Sequence, residues 1–363
     1  MDTTVLLQQM VSLNSVSPGE YRLGEFLSAF LREHGFSVKR QKVGERRYNI
    51  FAVHGHGRKA IAFYGHLDTV PVVNASEWKS DPFRLTQRAG RLYGLGAYDM
   101  KGGIAAFIEA CVRSDAYTKI LLSVDEENIS EGAWAVLQTE RKFFSDVDLI
   151  ISAEPNFALG LAGVTRGRTG RYVFDVQFEG KPAHLARHEE GIDAIQMLGE
   201  FVKKLYAQRQ RLFHTRGSFV QVREVKGEAV GMSVSAHAQA QVEVLSGYKD
   251  SVRGIQRRLQ ALTQAKVVLR ARKTPYLPGY YFSTFPYRSR IGTIIRRVTG
   301  RPMKLYVRTS VGDDNVLATM GIPVITWGPD GGNAHAPNEY VSRSSLDMLS
   351  SMYCAFLERK RAR

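Results

Sequence analysis

Hydrophobic and polar positions divide the chain into two textures. In the first, short apolar runs alternate with stretches of helical period. Residues 48–55 and 60–67 read as strands paired across a turn at Gly55-His56-Gly57. A helix over 101–113, a strand over 119–125, a helix over 131–143 and a strand over 148–153 follow. Short apolar strands interleaved with amphipathic helices predict a three-layer α/β domain. The second texture begins near residue 168, where Tyr172, Phe174, Val176 and Phe178 alternate with polar or smaller residues. That is the pattern of an antiparallel strand with one wet face. A helix over 192–212, strands over 219–225 and 234–245, a helix over 251–263 and a strand over 266–272 complete this segment. The first texture resumes with a helix over 290–299, a strand over 322–327 and a terminal helix from about Ser344. The expectation is one α/β domain made of residues 1–167 and 273–363, interrupted by an inserted α+β domain at 168–272.

Composition narrows the class without changing this picture. With 363 residues, 44% hydrophobic and 23% charged, the chain is long enough for two cores and is neither fibrous nor disordered. No apolar run approaches the ~20 residues that span a bilayer, and the start lacks the basic and apolar regions of a signal peptide. A cytoplasmic protein with no membrane partner is expected. Cys111 and Cys354 are the two cysteines, which excludes a disulfide framework and a cysteine-based zinc site. The net charge of +15 raises the question of nucleic acid. Apart from a dense cluster at 358–363, however, Lys and Arg are dispersed, with no zinc finger, aromatic RNA-binding motif or arginine-glycine repeat. Residues 168–272 hold 18 Lys and Arg against 10 Asp and Glu. A small anionic substrate, not nucleic acid, is the expected partner of this excess.

Chemistry gathers where strands end. His66-Leu67-Asp68 closes one predicted strand, Asp125-Glu126-Glu127 a second and Glu154-Pro155 a third. Ligands of open α/β sheets bind beyond the carboxyl ends of strands, so these groups should converge. Asp99 joins them from a glycine-rich loop before a helix, and His335 from another after a late strand. Carboxylates this close raise one another's pKa, and divalent cations relieve the conflict. Two histidines with three carboxylates suit zinc, or manganese or cobalt. Were Asp99 to bridge, two metals would sit ~3.5–4 Å apart. His66 and Asp68 share one side of a strand, so Asp68 is expected to accept the second ring N–H of His66. One residue of the Glu126-Glu127 pair would ligate metal, and the other would shuttle a proton.

Gly65-His-Leu-Asp-Thr-Val-Pro71, Gly96-Ala-Tyr-Asp-Met-Lys-Gly-Gly103, Asp125-Glu-Glu127, Ala153-Glu-Pro155 and Ala334-His-Ala-Pro-Asn-Glu339 occur in one order and spacing across nearly the whole chain. This set resembles the dinuclear-zinc amidohydrolase and peptidase family of acetylornithine deacetylase, succinyl-diaminopimelate desuccinylase, acetyl-lysine deacetylase, aminoacylase and carboxypeptidase G. The resemblance implies a zinc-peptidase-like mixed sheet and a metal-dependent hydrolase that cleaves an amide bond of a small N-acyl amino acid. It implies that His66 and Glu154 bind one metal, that Glu127 and His335 bind the other, and that Asp99 bridges. Glu126 would be the general base and acid, with Asp68 behind His66. The inserted domain would be a lid that also forms a homodimer interface. Phe178-Glu-Gly-Lys-Pro-Ala-His184 resembles the family segment whose histidine, here His184, stabilises the oxyanion in the partner subunit's site.

Two places depart from the family pattern. Residues 231–245 lack the expected asparagine and arginine, and Gly312-Asp313-Asp314 stands where many relatives have Thr-Ser-Asp. Relatives commonly touch the substrate at both. The departures leave open a dipeptidase or carboxypeptidase with the same centre, and a non-catalytic binding protein of the same fold.

Overall fold

The computed structural model describes residues 2–157, 159–213 and 217–358. The basic cluster expected at 358–363 lies outside them beyond residue 358. The chain divides into two units, Met1–Arg166 with Phe282–Val307 and Gly312–Arg363, and Gly167–Tyr281 with Arg308–Val311. The architecture is the expected one, a mixed α/β sheet flanked by helices and a separate β-rich insertion.

In the first unit the sheet order is Ser37–Gly44, Arg47–His54, Thr118–Ser123, Ala60–His66, Val147–Ser152, Val324–Thr326, then Gly163–Arg168. The strands Ala60–His66, Thr118–Ser123, Val147–Ser152 and Val324–Thr326 are parallel to one another, and the flanking strands are antiparallel. The parallel strands are almost continuously apolar because helices cover both faces. Phe63 and Tyr64 show this. The Phe63 ring packs on Phe107 of the helix Gly102–Val112 and on Tyr353 of the helix Arg343–Leu357. The next side chain points the other way, and the Tyr64 hydroxyl donates to Asp313 at the start of Asp313–Ala318.

One local expectation fails. The strands on either side of Gly55-His56-Gly57 are not a hairpin, because Thr118–Ser123 lies between them and pairs with both. A short connection between two apolar strands suggests a hairpin. Here the second strand instead pairs in parallel on both sides, which buries both its edges and both its faces. The first 44 residues, which carry no strong sequence signal, form the helices Thr3–Ser12 and Tyr21–Glu33 and the edge strand Ser37–Gly44. Cys111 is buried in the helix Gly102–Val112 and Cys354 half-buried in Arg343–Leu357, both free.

The second unit is a four-stranded antiparallel sheet in the order Phe219–Glu228, His237–Ser246, Gly170–Glu179, Lys266–Leu269. Phe174, Val176 and Phe178 enter its core with Ala240, Val242 and Val244. Phe201 and Leu205 of Ala194–Gln208 and Ile255 and Leu259 of Val252–Gln260 cover that face. The other face is wet and held by ion pairs such as Arg171–Glu243 (2.6 Å) and Arg270–Asp175 (2.9 Å).

No helix among the described residues is long and apolar enough to cross a membrane. Replacing Phe63 by Ala removes a ring buried between two helices and should cost roughly 3–5 kcal/mol of stability. Urea unfolding of the purified variant measures it, and a change under 1 kcal/mol, well below that range, would contradict this packing.

Candidate metal centre

Parallel register sets the frame of the site. His66 lies opposite Ser123, and Tyr64 opposite Ser152, so the three strands end level with one another. Their continuations bring His66, Asp68, Glu126, Glu127 and Glu154 to one edge of the sheet.

The His66 ring is oriented by its own chain. Its Nδ1 donates to the backbone carbonyl of Asp68 at 3.0 Å, whereas the nearest Asp68 carboxylate oxygen is 3.7 Å away. A carbonyl only accepts, so Nδ1 carries a proton, and Nε2 faces Asp99 Oδ1 at 3.3 Å. The expected Asp68 carboxylate contact is therefore replaced by a carbonyl two residues along the chain. The Asp68 carboxylate accepts instead from the backbone N–H groups of Glu126 (3.2 Å) and Glu127 (3.0 Å). Burial pushes its carboxyl up to about 7, against the pull of His66 and the Glu127 amide.

Asp99 comes from the loop that starts the helix Gly102–Val112, and its shape depends on a residue far along the chain. The buried Glu339 carboxylate accepts from the backbone N–H groups of Gly96, Tyr98 and Asp99, each at 2.9 Å. Gly96 has φ +72°, and a Cβ there would lie 2.5 Å from the Thr69 side chain, so glycine is required. Lys101 fastens the same loop to the first helix, its Nζ donating to the carbonyls of Met10 and Leu13 at 3.1 Å. Burial brings that amine down to about 7.

Glu339 also ends the segment that carries His335. His335 Nε2 stands 3.0 Å from Glu127 Oε1 and 3.5 Å from Asp99 Oδ2. Its backbone is left-handed (φ +61°), as is that of Asp125 (φ +72°), and non-glycine residues hold such angles only where their surroundings fix them. Glu154 is 3% exposed, and Gly328 passes so close that a Cβ would lie 1.9 Å from the Glu154 carbonyl oxygen.

Two sets of ligand atoms lie within 4.8 Å of one another, His66 with Glu126 and Glu127, and Asp99 with Glu127 and His335. Glu127 belongs to both sets, and Glu154 to neither. The electrostatics are those of a cluster short of positive charge. Burial and the Glu154 charge raise the Glu126 carboxyl well above its usual range, and burial raises Glu127. Asp99 is held low, burial notwithstanding, by hydrogen bonds from His335 and His66. The same bonds, to Asp99 and Glu127, push the His335 imidazole up to about 10. Imidazole nitrogens and carboxylate oxygens in two adjoining sets suit a pair of divalent cations.

Residues 62–359 match the family model described as Peptidase family M20/M25/M40. The chain belongs to this family. Like the M20 family at large, it is a metal-dependent hydrolase or peptidase. It is 26% identical over 378 positions to a succinyl-diaminopimelate desuccinylase of Wolbachia pipientis subsp. Culex pipiens, covering 99% of this chain and 93% of that one. It is 28% identical over 377 positions to a succinyl-diaminopimelate desuccinylase of Nitrosospira multiformis, covering 98% of each. Among solved structures, aminopeptidase PepT from Bacillus cereus superposes with a TM-score of 0.80 at 18% identity, over 98% of this chain and 97% of that one. The M20 family metallo-carboxypeptidase Sso-CP2 from Sulfolobus solfataricus gives 0.78 at 16% identity, over 98% and 99%. These two likenesses speak for the M20 fold alone.

His184 lies in the second unit, exposed, where its Nδ1 accepts from the Ala186 N–H at 3.2 Å and caps the turn Leu185–Glu190. Sequence reasoning missed Glu339, although it lies in the same short motif as His335. The available signal was an acid closing the segment that begins at His335. Glu339→Ala strips three amides of their acceptor. It should cost roughly 2–4 kcal/mol and lower the divalent metal retained after dialysis, with Glu339→Gln milder in both. Normal metal retention in Glu339→Ala would show that Asp99 is held by other means.

Proposed function

We propose that this hydrolase cleaves the amide bond of a small, anionic N-acyl amino acid. The observation that carries the reading is the meeting of His66, Asp99, Glu126, Glu127 and His335 at one sheet edge. Relatives matched along nearly their full length, named as desuccinylases, support the acyl-amino-acid class over a dipeptide or a C-terminal peptide bond. The solved neighbours named as aminopeptidase and carboxypeptidase keep peptide hydrolysis as the second reading.

In this reading His66 and Glu154 hold one cation, Glu127 and His335 the other, and Asp99 bridges them, with zinc the first choice and cobalt or manganese able to replace it. When bound, the two cations would polarise the scissile carbonyl and acidify a water. Glu126 does the proton work. Its raised pKa suits a group that takes a proton from the attacking water and returns it to the departing nitrogen as the C–N bond breaks. The products are a carboxylate and a free amine. Asp68 keeps Glu126 and Glu127 in place by accepting both backbone N–H groups. His184 would donate to the oxyanion in the site of a partner subunit. The second unit would form that homodimer, a role supported by its exposed apolar residues Phe219, Val225, Val230 and Met232.

A zinc-supplemented screen of N-acetyl and N-succinyl amino acids, dipeptides and carboxypeptidase substrates tests the class, and release of free amine from an acyl amino acid is the expected result. Glu126→Gln should keep both cations and lose about 10²–10⁴ in kcat, and near-normal turnover would remove Glu126 from this role. His184→Ala should lose turnover with its metal intact, and mixing it with Asp99→Ala should restore part of the activity if the histidine acts across a dimer.

The centre also predicts a pH dependence. His335 carries a proton at neutral pH because its partners raise its pKa to about 10, and that proton must leave before Nε2 can ligate. Cation uptake should therefore release protons, and affinity should fall as pH is lowered from about 8 to about 6. Titration calorimetry in buffers of different ionisation heat measures this. Uptake without proton release would contradict the assignment of His335.

A further inference from the structure

The turn that presents Glu126 and Glu127 is gripped from a strand that precedes residues 62–359, the span of the family match. Arg47 and Asn49 are alternate residues of the strand Arg47–His54 and so project to the same side. Asn49 holds both ends of the turn. Its Oδ1 accepts from the Val124 N–H at 3.2 Å, and its Nδ2 donates to the Gly132 carbonyl at 2.9 Å. Arg47 holds the middle. Its guanidinium grips both Glu20 carboxylate oxygens, through Nε at 3.0 Å and through Nη2, and Nη2 also donates to Asp125 Oδ1 at 3.2 Å and Ser17 Oγ at 3.4 Å. The side chains of Arg47, Glu20 and Asp125 are 13%, 1% and 2% exposed, so this is a buried network.

Asp125 converts that grip into a backbone shape. It lies in the left-handed region immediately before Glu126. Its Oδ2 accepts from the N–H groups of Ile129 (3.3 Å) and Glu131 (3.1 Å), and its carbonyl from Ser130 (2.8 Å). One carboxylate oxygen thus serves the turn, and the other faces Arg47. A guanidinium can meet Glu20 through Nε and Nη2 while reaching Asp125 with the same Nη2.

We propose that Arg47, anchored by Glu20, is a positioning residue that sets the aim of the Glu126 carboxylate through Asp125. The proposal rests on the reading of Glu126 as the proton carrier. Without Arg47, Glu20 and Asp125 are left as uncompensated buried acids, and the turn loses the partner of its central carboxylate. The ligand atoms of His66, Asp99 and His335 come from other segments, and Glu127, which shares the turn, has its carboxylate held separately by His335 Nε2 at 3.0 Å. Loss of Arg47 should therefore show in turnover and not in substrate affinity or metal content.

The test compares the zinc-loaded full-length protein with Arg47→Ala and Arg47→Lys. The substrate is an acyl amino acid that the parent hydrolyses. In Arg47→Ala, kcat should fall roughly ten- to a hundred-fold, with KM within about two-fold and both metals retained. Added guanidinium chloride at low concentration should restore part of the turnover, which a merely structural lesion would not allow. Hydrogen exchange of the backbone over 124–132 should quicken, and over the paired strand 118–123 it should not. Unchanged kcat, a KM that rises as much as kcat falls, or unchanged exchange over 124–132 would each overturn the proposal. If Arg47→Ala does not fold, Arg47→Lys decides, since it keeps the charge and loses the two-pronged grip. It should show the same split at smaller size. If the parent hydrolyses no substrate in the screen, the hydrolytic reading fails separately, and the exchange data alone decide whether Arg47 sets the turn.

Discussion

Negative charge crowded at the ends of parallel strands is the constraint around which the first unit is built. Asp68, Asp99, Glu126, Glu127 and Glu154 converge there with two imidazoles for company, in surroundings that penalise every unpaired charge. The carboxylates divide by what they face. Asp68, Asp125 and Glu339 accept backbone N–H groups, and each shapes a segment by doing so. Asp99 and Glu127 face imidazoles, and Glu126 feels the charge of Glu154. In the first kind amide donors meet the carboxylate, although burial still pushes Asp68 and Glu339 up to about 7. The second kind gains most from divalent cations. The boundary between scaffold and centre is thus drawn by the supply of amide donors.

That division explains why the scaffold reaches so far along the chain. A buried carboxylate outside the centre still needs donors, and for Glu339 they come from a distant part of the chain. Glu339 therefore closes on the loop 96–99, and because it follows His335 by four residues it ties two arms of the centre together. Lys101 continues the chain of support from that loop to the first helix. Movement of any of these segments changes the spacing of the imidazole and carboxylate atoms, where fractions of an ångström decide whether a cation is held.

What could be read in advance follows the same line. His66, Asp99, Glu126, Glu127, Glu154 and His335 are announced by short motifs at strand ends, and alternation at Tyr172–Phe178 announces the sheet of the second unit. The supports were not legible, because their partners are remote. Nothing near Glu339 says that it accepts from Asp99, and nothing near Arg47 says that it meets Asp125. The false hairpin at Gly55–Gly57 has the same origin. Turn chemistry is local, whereas the insertion of Thr118–Ser123 between the two strands is a matter of burying strand edges. Asp68 makes a different contact from the expected one. Strand geometry placed it beside His66, but a backbone carbonyl was the nearer acceptor, which freed the carboxylate for the amides of the next strand's turn.

The two acids at Gly312-Asp313-Asp314 bear on specificity in a way their position in the sequence does not suggest. Both are fully buried. Asp313 accepts from the Tyr64 and Ser123 hydroxyls, each at 2.8 Å, and Asp314 from the Thr326 hydroxyl at 2.8 Å. Together the two carboxylates join the helix Asp313–Ala318 to three strands of the sheet, and, fully buried, they offer no surface to a substrate. The departure from the family pattern at this place is therefore absorbed inside the sheet. Tyr64 supplies one of the hydroxyls that the buried Asp313 carboxylate accepts from. Selection of the acyl group then falls to side chains other than these two acids, and a hydrolytic centre can persist here although the loop beside it has changed.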